Sequence, residues 1–249
     1  MLLYHLDFDE APIFEPMKKK ITILSGAGMS AESGIRTFRD SDGLWEEHRV
    51  EDVATPKAWQ RNPELVLEFY NQRRKQLLES KPNAGHLAIA LLEEKFDVKI
   101  VTQNVDNLHE RAGSSTVLHL HGELVLARTT GRSKAIYPIG GWHLNWGDVC
   151  PEGFQLRPHI VWFGEEVVEM PNAISIVKNS DAVIIVGTSM QVYPANGLIG
   201  YAPRHAKIWV IDPNATALHS QKNATVIAEK AGIALPRLVQ SLLNGEIIV

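Results

Sequence analysis

The sequence predicts an α/β protein with a parallel sheet that is covered by helices on both faces and a smaller lobe inserted into it. Short apolar runs rich in β-branched residues alternate with helical segments, which is typical of parallel strands buried on both faces. Each run ends in polar, turn-forming residues, and one long stretch, residues 124–156, fits neither a helix nor a buried strand. The runs comprise residues 21–24, 98–101, 182–186 and 208–211.

Length and composition exclude several classes of protein. The 249 residues are 45% hydrophobic and 22% charged, which is ordinary usage for a globular chain that buries a core. A formal net charge of −4 offers no basic surface for nucleic acid. No apolar run approaches the about 20 residues of a membrane-spanning helix, and the N-terminus lacks a signal pattern. We therefore expect a cytoplasmic protein that binds neither nucleic acid nor membrane, of undetermined oligomeric state.

The N-terminal arm, residues 1–16, is acidic and aromatic and ends just before a run of lysines. Met17 could be an alternative start, and an ordered arm packed on the surface is the other interpretation. We expect one domain to follow, residues 17–249. Its single cysteine, Cys150, excludes an intrachain disulfide.

The first predicted strand runs directly into Gly26-Ala27-Gly28, with Ala31 at the third small position. Small residues at such a strand–helix junction let the backbone approach a pyrophosphate, whose charge the N–H groups at the helix start attract. The pattern indicates a phosphate site. A lone pattern of this kind also occurs as a plain glycine-rich turn, so the rest of the chain must decide.

The next elements are a long polar loop and a helix. Residues 35–45 are rich in turn formers, and we expect them to cover the phosphate site as a lid. The helix begins at Asn62-Pro63, with cap and first-turn residues in their favoured order, and runs to about Glu79.

One stripe of this helix carries four residues at helical spacing: Val66, Tyr70, Arg73 and Leu77. Arg73 therefore points with the apolar side chains, where it either meets an anionic partner or extends back to solvent. Its neighbours Arg74 and Lys75 are expected on the solvated side. The segment 85–95 reads as another helix.

Polar side chains follow the predicted strands at the edge where ligands of open parallel sheets bind. They are Asn104, Asp106, Ser189, Asp212 and Asn214. The turn at His121-Gly122 adds a titrating group, and a neutral imidazole suits a general base that deprotonates a sugar hydroxyl. A core histidine with satisfied hydrogen bonds is the alternative for His121.

A metal centre and a hydride-transfer enzyme are both disfavoured by spacing. His119 and His121 alternate on one strand, yet no third and fourth ligand follow at sensible spacing. A nicotinamide dehydrogenase needs an acidic residue at the end of a second strand about 20 positions after the glycine turn. Glu46 and Glu47 stand at that distance but follow a Gly-Leu-Trp loop rather than an apolar strand.

With these residues the chain closely resembles the sirtuins, the family of NAD-dependent protein deacylases, and most of all bacterial sirtuins of the desuccinylase-like class. The resemblance runs from about Lys20 to Asn244. It rests on ordered motifs: Gly26-Ala27-Gly28-Met29-Ser30-Ala31-Glu32-Ser33-Gly34-Ile35-Arg36-Thr37-Phe38-Arg39, Thr102-Gln103-Asn104-Val105-Asp106-Asn107-Leu108-His109, His119-Leu120-His121-Gly122, Val161-Trp162-Phe163-Gly164-Glu165 and Gly187-Thr188-Ser189.

The resemblance implies a Rossmann-like large lobe and a small lobe made of a degenerate zinc-ribbon position and a helical module. The large lobe comprises about 17–40, 82–122 and 158–249, and the small lobe about 41–81 and 123–157. NAD would lie in the crevice, and an acyl-lysine protein or peptide would pass between the lobes. The acyl oxygen would attack the ribose as nicotinamide leaves, giving free lysine and O-acyl-ADP-ribose.

The resemblance also assigns roles to residues. His121 would be the base and Asn104 and Asp106 the other catalytic residues, which with Gln103 line the nicotinamide pocket. NAD would further contact Gly26, Ala27, Gly28, Glu32, Thr37, Phe38, Arg39, Gly187, Thr188, Ser189 and Asn214. The peptide backbone would pair with Val161, Trp162, Phe163, Gly164 and Glu165. Tyr70 and Arg73 would contact an acidic acyl chain, for which the small Ala31 makes room; a guanidinium fork suits a carboxylate.

The chain departs from most sirtuins in the small lobe, which holds Cys150 instead of four zinc-binding cysteines. We therefore expect no structural zinc and a lobe stabilised by hydrophobic packing. Succinyl or malonyl removal, with acetyl removal retained, is the expected activity. Mono-ADP-ribosyl transfer and a non-catalytic NAD or ADP-ribose binding module are the alternatives.

Overall fold

The computed structural model describes residues 17–35, 44–45, 48–188, 195–215 and 224–249. The strands are β1 (Lys20–Ser25), β2 (Leu44–Trp45), β3 (His48–Arg49), β4 (Asp97–Thr102), β5 (Val117–His119), β6 (Gly122–Thr129), β7 (Ile136–Pro138), β8 (Leu156–Ile160), β9 (Ala182–Val186), β10 (Lys207–Ile211) and β11 (Ala224–Ile227). The helices are α1 (Gly28–Ala31), α2 (Val50–Val53), α3 (Pro56–Arg61), α4 (Pro63–Glu79), α5 (Ala84–Leu91), α6 (Leu108–Arg111), α7 (Met170–Lys178) and α8 (Ala231–Leu243), with 3-10 helices at Leu92–Glu94 and Ala195–Tyr201.

The large lobe contains a six-stranded parallel sheet in the order β11-β10-β9-β1-β4-β5, which confirms the predicted α/β class. The four predicted strands form its centre. Of the two edge strands, β5 contains His119, which the sequence placed on a strand, whereas β11 was not predicted, because it is only four residues long and partly exposed. Short, half-exposed strands lack the continuous apolar run by which a buried parallel strand is recognised.

Both faces of the sheet are covered. On one face α5 and α8 pack over the apolar side chains of β1, β4 and β9, with Ile23, Ile100 and Leu235 fully buried. On the other face α7 and the second 3-10 helix cover residues such as Leu24 and Ile185. No helix in the described part of the chain has the length and apolar character needed to cross a bilayer.

The strand order places a topological switch point beside β1. From β1 the chain continues through β4 and β5 toward one edge, whereas β9, β10 and β11 build the sheet toward the other edge. The strands end level, since Ser25 pairs with Thr102 and with Val186, and Val186 pairs with Ile211. Ligands of such sheets bind outside the strand ends at the switch point, where the glycine turn lies.

The small lobe combines a three-stranded antiparallel sheet, β7-β6-β8, with α2, α3 and α4. The eight-residue strand β6 contradicts our interpretation of the stretch after Leu124 as irregular. A register shift between Glu123 and Ala127 interrupts the alternation of buried and exposed side chains, which is the signal by which strands are recognised.

Helix α4 begins and ends as predicted. The Asn62 side chain caps it by accepting the N–H of Leu65 at 3.1 Å. The predicted stripe is confirmed: Val66, Tyr70, Arg73 and Leu77 are all buried. The prediction for Arg74 was wrong, because this side chain is 0% exposed.

Arg74 lies between α4 and the small sheet, where carbonyl oxygens replace water around its guanidinium. It donates to the Leu124 carbonyl, to the Trp142 carbonyl at 2.8 Å and to the Asn71 Oδ1 at 2.9 Å. Asn71 itself exchanges two hydrogen bonds with the Leu144 backbone, at 2.9 and 3.1 Å. Polar contacts therefore join α4 to β6 and to the segment 142–144, in addition to the apolar contacts that the sequence predicted.

Two histidines, one on α5 and one on α6, are buried side by side. The rings of His86 and His109 lie 4.9 Å apart between centroids, and both side chains are inaccessible to solvent. Burial lowers the pKa of His86 to about 4 and, together with the charges of His86 and His119, holds that of His109 well below its ordinary value. Both imidazoles are therefore neutral in the folded protein near neutral pH.

We expect this pair to make the fold sensitive to acid. Because each histidine binds a proton more weakly when folded than when unfolded, its stabilising contribution is complete above the unfolded pKa of about 6.5. That contribution is lost as the pH falls toward the folded values, at up to about 1.4 kcal/mol per pH unit for each histidine. Urea unfolding at pH 7.5, 6 and 5 measures this slope.

His86→Gln is the control for the pH effect, since a glutamine can keep the capping bond that His86 Nδ1 accepts from the Asn83 N–H. This variant has one titrating group fewer, so its stability should fall less steeply with acid. An unchanged slope would show that the acid sensitivity arises elsewhere.

Candidate functional site

The glycine turn packs against the end of β9. Gly26 donates its N–H to the Val186 carbonyl at 3.0 Å, and Gly28 donates to the Gly187 carbonyl at 2.8 Å. Gly187 has φ +61°, and a Cβ there would collide with the backbone nitrogen of Met29. Only glycine permits this approach, which fixes the turn at the sheet's edge.

The turn leaves a donor available for an anion. Ala27 is exposed, and its N–H donates to no residue in the described ranges. The following helix α1 has only four residues, so its dipole contributes little. Such an N–H and small residues suit a dinucleotide phosphate, and its binding by Gly26, Ala27 and Gly28 stays a prediction.

Asn104 and Asp106 lie directly beyond β4 and are tied to the glycine turn. The Asn104 amide donates to the Gly26 carbonyl and to the Ser30 hydroxyl, both at 3.1 Å. Ser30 in turn donates to one Asp106 oxygen at 2.8 Å, and the Leu108 N–H reaches the other at 3.2 Å. Both predicted side chains are held in one orientation by this set of bonds.

Burial raises the pKa of Asp106, although the hydrogen bonds from Ser30 and Leu108 oppose the rise. A buried carboxyl group whose pKa is shifted in this way is typical of functional sites. The sequence did not identify Ser30 as the residue that joins Asn104 to Asp106. Its only signal was a small hydroxyl residue two positions after the glycine turn.

His121 lies two residues beyond the end of β5. Its Nδ1 lies 3.0 Å from the Gln103 carbonyl, so Nδ1 carries the proton and Nε2 keeps a lone pair. Burial lowers the pKa of His121, an effect that the Gln103 contact partly offsets. The neutral imidazole is therefore the main form at pH 7, as a general base requires.

The chain reverses immediately after this histidine. Gly122 has φ +78°, and a Cβ there would overlap the His159 carbonyl. The His121 carbonyl accepts the Val161 N–H at 2.9 Å. The position of the imidazole thus depends on both β4 and the segment after β8.

Other predicted cofactor residues lie around the same edge. The Gln103 amide donates to the Thr188 hydroxyl at 3.2 Å, next to Gly26. Asn214 is exposed, and its backbone N–H donates to the Asp212 carboxylate at 2.8 Å. The carboxylate of Glu32 instead accepts the Gly232 N–H of α8 at 2.8 Å. Thr37, Phe38, Arg39 and Ser189 lie outside the described residues, as does most of the predicted lid.

Tyr70 and Arg73 lie side by side within the small lobe. Tyr70 is 0% and Arg73 8% exposed. Burial raises the pKa of Tyr70 to about 12, with a smaller opposing effect from the Arg73 charge, so the phenol stays protonated. No residue in the described ranges accepts the proton of the Tyr70 hydroxyl, although the Trp162 indole is close enough to the phenol to lower its pKa slightly. A buried donor of this kind fits a polar ligand that reaches into the lobe.

The turn containing Ala31 contacts the same part of α4. Ala31 is exposed, and its carbonyl accepts the Gly34 N–H at 3.1 Å. The Gly34 carbonyl accepts from Gln76 at 3.2 Å, and Gln76 lies about one helical turn beyond Arg73. The predicted small residue is thus close to the predicted acyl-binding helix.

The predicted peptide segment 161–165 is a tight turn whose side chains have different environments. Trp162 is 2% exposed and packs on Trp59, whereas Phe163 is 53% exposed. The Glu165 carboxylate accepts the Trp162 N–H at 2.8 Å and binds Arg128 and Arg157 at 2.8–3.0 Å. Burial opposes ionisation, but the Arg157 hydrogen bond and these other contacts hold the pKa of Glu165 below its usual value.

Segment 161–165 therefore has an inward side, which holds the turn in place, and an exposed side. Glu165 and Trp162 fix the turn from inside, which leaves Phe163 and Gly164 at the surface. Pairing of the segment with a peptide remains a prediction.

A tetrahedral zinc site cannot be built from the small-lobe residues. Cys150 is buried and its Sγ lies 3.3 Å from the Thr129 hydroxyl. Within residues 122–160, all of which the structure describes, no group of three or more metal-binding side chains comes together. The donors of a structural zinc are thus not present in this lobe, and the absence of zinc from the protein remains a prediction.

Known proteins resemble this chain along most of its length. The model of the Sir2 family matches residues 26–194. An NAD-dependent protein deacylase of Helicobacter pylori is 52% identical over 228 residues, which cover 91% of this chain and 98% of the relative. An NAD-dependent protein deacylase of Bacteroides thetaiotaomicron is 49% identical over 231 residues, 90% of this chain and 98% of the relative.

Solved structures share the fold. A crystal structure of a Sir2 homologue in complex with NAD superposes with a TM-score of 0.83 at 37% identity, covering 92% of this chain and 91% of the other. A Sir2 complex with a p53 peptide and NAD superposes with a TM-score of 0.74 at 27% identity, covering 92% and 95%.

Proposed function

The chain belongs to the Sir2 family and is an NAD-dependent protein deacylase, and from this premise we propose that it removes succinyl and malonyl groups from lysine side chains while retaining acetyl removal. The observation that carries the proposal is the buried Tyr70–Arg73 pair on α4, next to the turn that contains Ala31. The substrates are acyl-lysine proteins or peptides, and the products are nicotinamide and O-acyl-ADP-ribose.

The chain's own residues would position NAD and move one proton. NAD supplies an electrophilic ribose carbon with nicotinamide as leaving group. The Ala27 N–H and the glycine turn bind a phosphate, and Asn104 and Asp106, fixed through Ser30, orient the nicotinamide side. His121 takes a proton from a ribose hydroxyl at Nε2, because its Nδ1 is occupied by the Gln103 carbonyl.

The acyl preference follows from charge and burial. The Arg73 guanidinium is buried, so its surroundings screen charge less than water does. It would therefore attract a bound carboxylate more strongly than an arginine at the surface would. The guanidinium and the Tyr70 hydroxyl would both donate to the end of a succinyl or malonyl chain. An acetyl group has no carboxylate and would gain nothing from either donor.

An assay with purified full-length protein tests the activity. Succinyl-, malonyl- and acetyl-lysine peptides of one sequence are each incubated with NAD, and peptide mass and nicotinamide release are followed. Loss of the acyl mass that requires NAD supports the proposal. Mass gain on a protein acceptor indicates ADP-ribosyl transfer, and the absence of nicotinamide release with every peptide indicates a binding module.

Arg73→Met should lower kcat/KM for succinyl and malonyl peptides by about 100-fold, which corresponds to a lost charge-assisted contact of about 2.7 kcal/mol. Its kcat/KM for the acetyl peptide should change by less than about threefold. The measurement is kcat/KM for the three peptides at saturating NAD.

Lys75→Met is the matched control, since it removes one positive charge from an exposed position of the same helix. It should leave all three values near those of the unmodified protein. Equal losses on acidic and acetyl peptides in Arg73→Met would contradict the acidic-pocket assignment.

A further inference from the structure

Three side chains of types that bind metals meet at β5, an edge strand of the large sheet. Glu110 on α6, His119 on β5 and Glu123 on β6 have ligand atoms that all lie within 4.8 Å of one another. The sequence did not indicate this group, because Glu110 and Glu123 come from separate elements that only the fold brings to His119. The spacing argument had found no third and fourth ligand for His119 and His121 along the sequence.

His119 is oriented as metal-binding histidines usually are. Its Nδ1 lies 3.0 Å from the Asn104 carbonyl, and its Nε2 points at the Glu110 carboxylate, 2.7 Å away. Because Nδ1 donates to a backbone carbonyl, Nε2 is the ring nitrogen that faces the cluster, and a metal ion would replace the proton through which Nε2 contacts Glu110. The side chain of His119 is only 7% exposed, so the ring is held firmly.

The charges of the cluster do not balance without a further cation. A protonated His119 would neutralise the charge of Glu110, but the charge of Glu123 would remain uncompensated. Glu123 accepts no hydrogen bond from a residue in the described ranges, although it lies close enough to His119 to act on it electrostatically. Two carboxylates and one imidazole therefore carry a net negative charge that a dication would compensate.

A second imidazole lies next to the cluster. His159 pairs with Glu123 across β6 and β8, and its Nδ1 is buried without a hydrogen-bond partner among the described residues. Glu110 is exposed on the other side and gives an ion access from solvent.

We propose that Glu110, His119 and Glu123 form a binding site for one divalent transition-metal ion, distinct from the NAD crevice and from the zinc-ribbon position of the small lobe. One imidazole nitrogen and two carboxylate oxygens form a donor set typical of zinc, and water completes the coordination. The bound ion would be held by the same imidazole that contacts the Asn104 carbonyl, so it would stiffen the loop after β4.

Titration of the metal-free full chain with zinc chloride tests the site. The protein is stripped with a chelator, desalted and titrated by calorimetry, and imidazole NMR identifies the histidine that responds. We expect one equivalent of zinc to bind and the signals of His119 to move. Glu110→Gln and Glu123→Gln should each weaken zinc binding about tenfold or more, since each removes one charged ligand.

Two control variants keep the test specific. Cys150→Ser and His143→Asn remove other zinc-binding groups, one buried and one exposed, and should bind zinc like the unmodified protein. Circular dichroism at each step verifies that the variants are folded. The proposal is overturned if the unmodified protein binds no zinc at micromolar concentration, or if both glutamine variants bind it unchanged.

Discussion

His121→Asn should lower kcat for NAD-dependent deacylation by about 10²- to 10⁴-fold, the range that a general base contributes. Asparagine can still donate an amide hydrogen to the Gln103 carbonyl, as Nδ1 of His121 does at 3.0 Å, so the local fold should persist. What it lacks is the basic lone pair of Nε2. The measurement is kcat with a succinyl-lysine peptide at saturating NAD, with thermal unfolding to verify the fold.

The exposed His143→Asn is the control and should retain full activity. The pH profile gives an independent check, because burial holds the pKa of His121 below its usual value of about 6.5. The base is active above that pKa and protonated below it, so kcat should be flat near neutral pH and fall in acid. Full activity of His121→Asn would place the base on another residue.

The sequence predicted the parts of the fold whose signals are local and repeated. The central strands are buried on both faces, so their apolar runs are continuous, and α4 has its cap at Asn62 and a complete buried stripe. Site residues at the strand ends were also predictable. Parallel strands end at one edge, so Asn104 and Asp106 had to lie near the glycine turn once the sheet was recognised.

The remaining features depend on contacts that no local pattern contains. Strand β6 was missed because a bulge breaks its alternation, and Arg74 was assigned to solvent because helical spacing alone placed it off the apolar stripe. The packing of the small sheet on that side of α4 buries it. Ser30 and the group around His119 likewise gain their partners only when distant elements meet.

The buried Arg74 leads to the largest stability effect that we expect. Arg74→Ala should lower the free energy of unfolding by about 3–5 kcal/mol, because the Leu124 and Trp142 carbonyls lose their donor and a cavity opens between α4 and β6. Burial lowers the pKa of Arg74 to about 10, so the side chain is still charged at pH 7. Its removal also relieves the cost of burying that charge, which keeps the loss from being larger.

Urea unfolding in the presence of a chelator measures this effect without any contribution from bound metal. Thermal unfolding gives a second measurement. For a chain of this length the melting temperature should fall by about 6–20 °C, at about 2–4 °C per kcal/mol. Lys75→Ala, at the next and exposed position of α4, should change stability by less than about 0.5 kcal/mol. If Arg74→Ala proved equally harmless, the polar contacts would not hold the small lobe, and its apolar contacts around Leu67 and Leu144 would have to account for its stability.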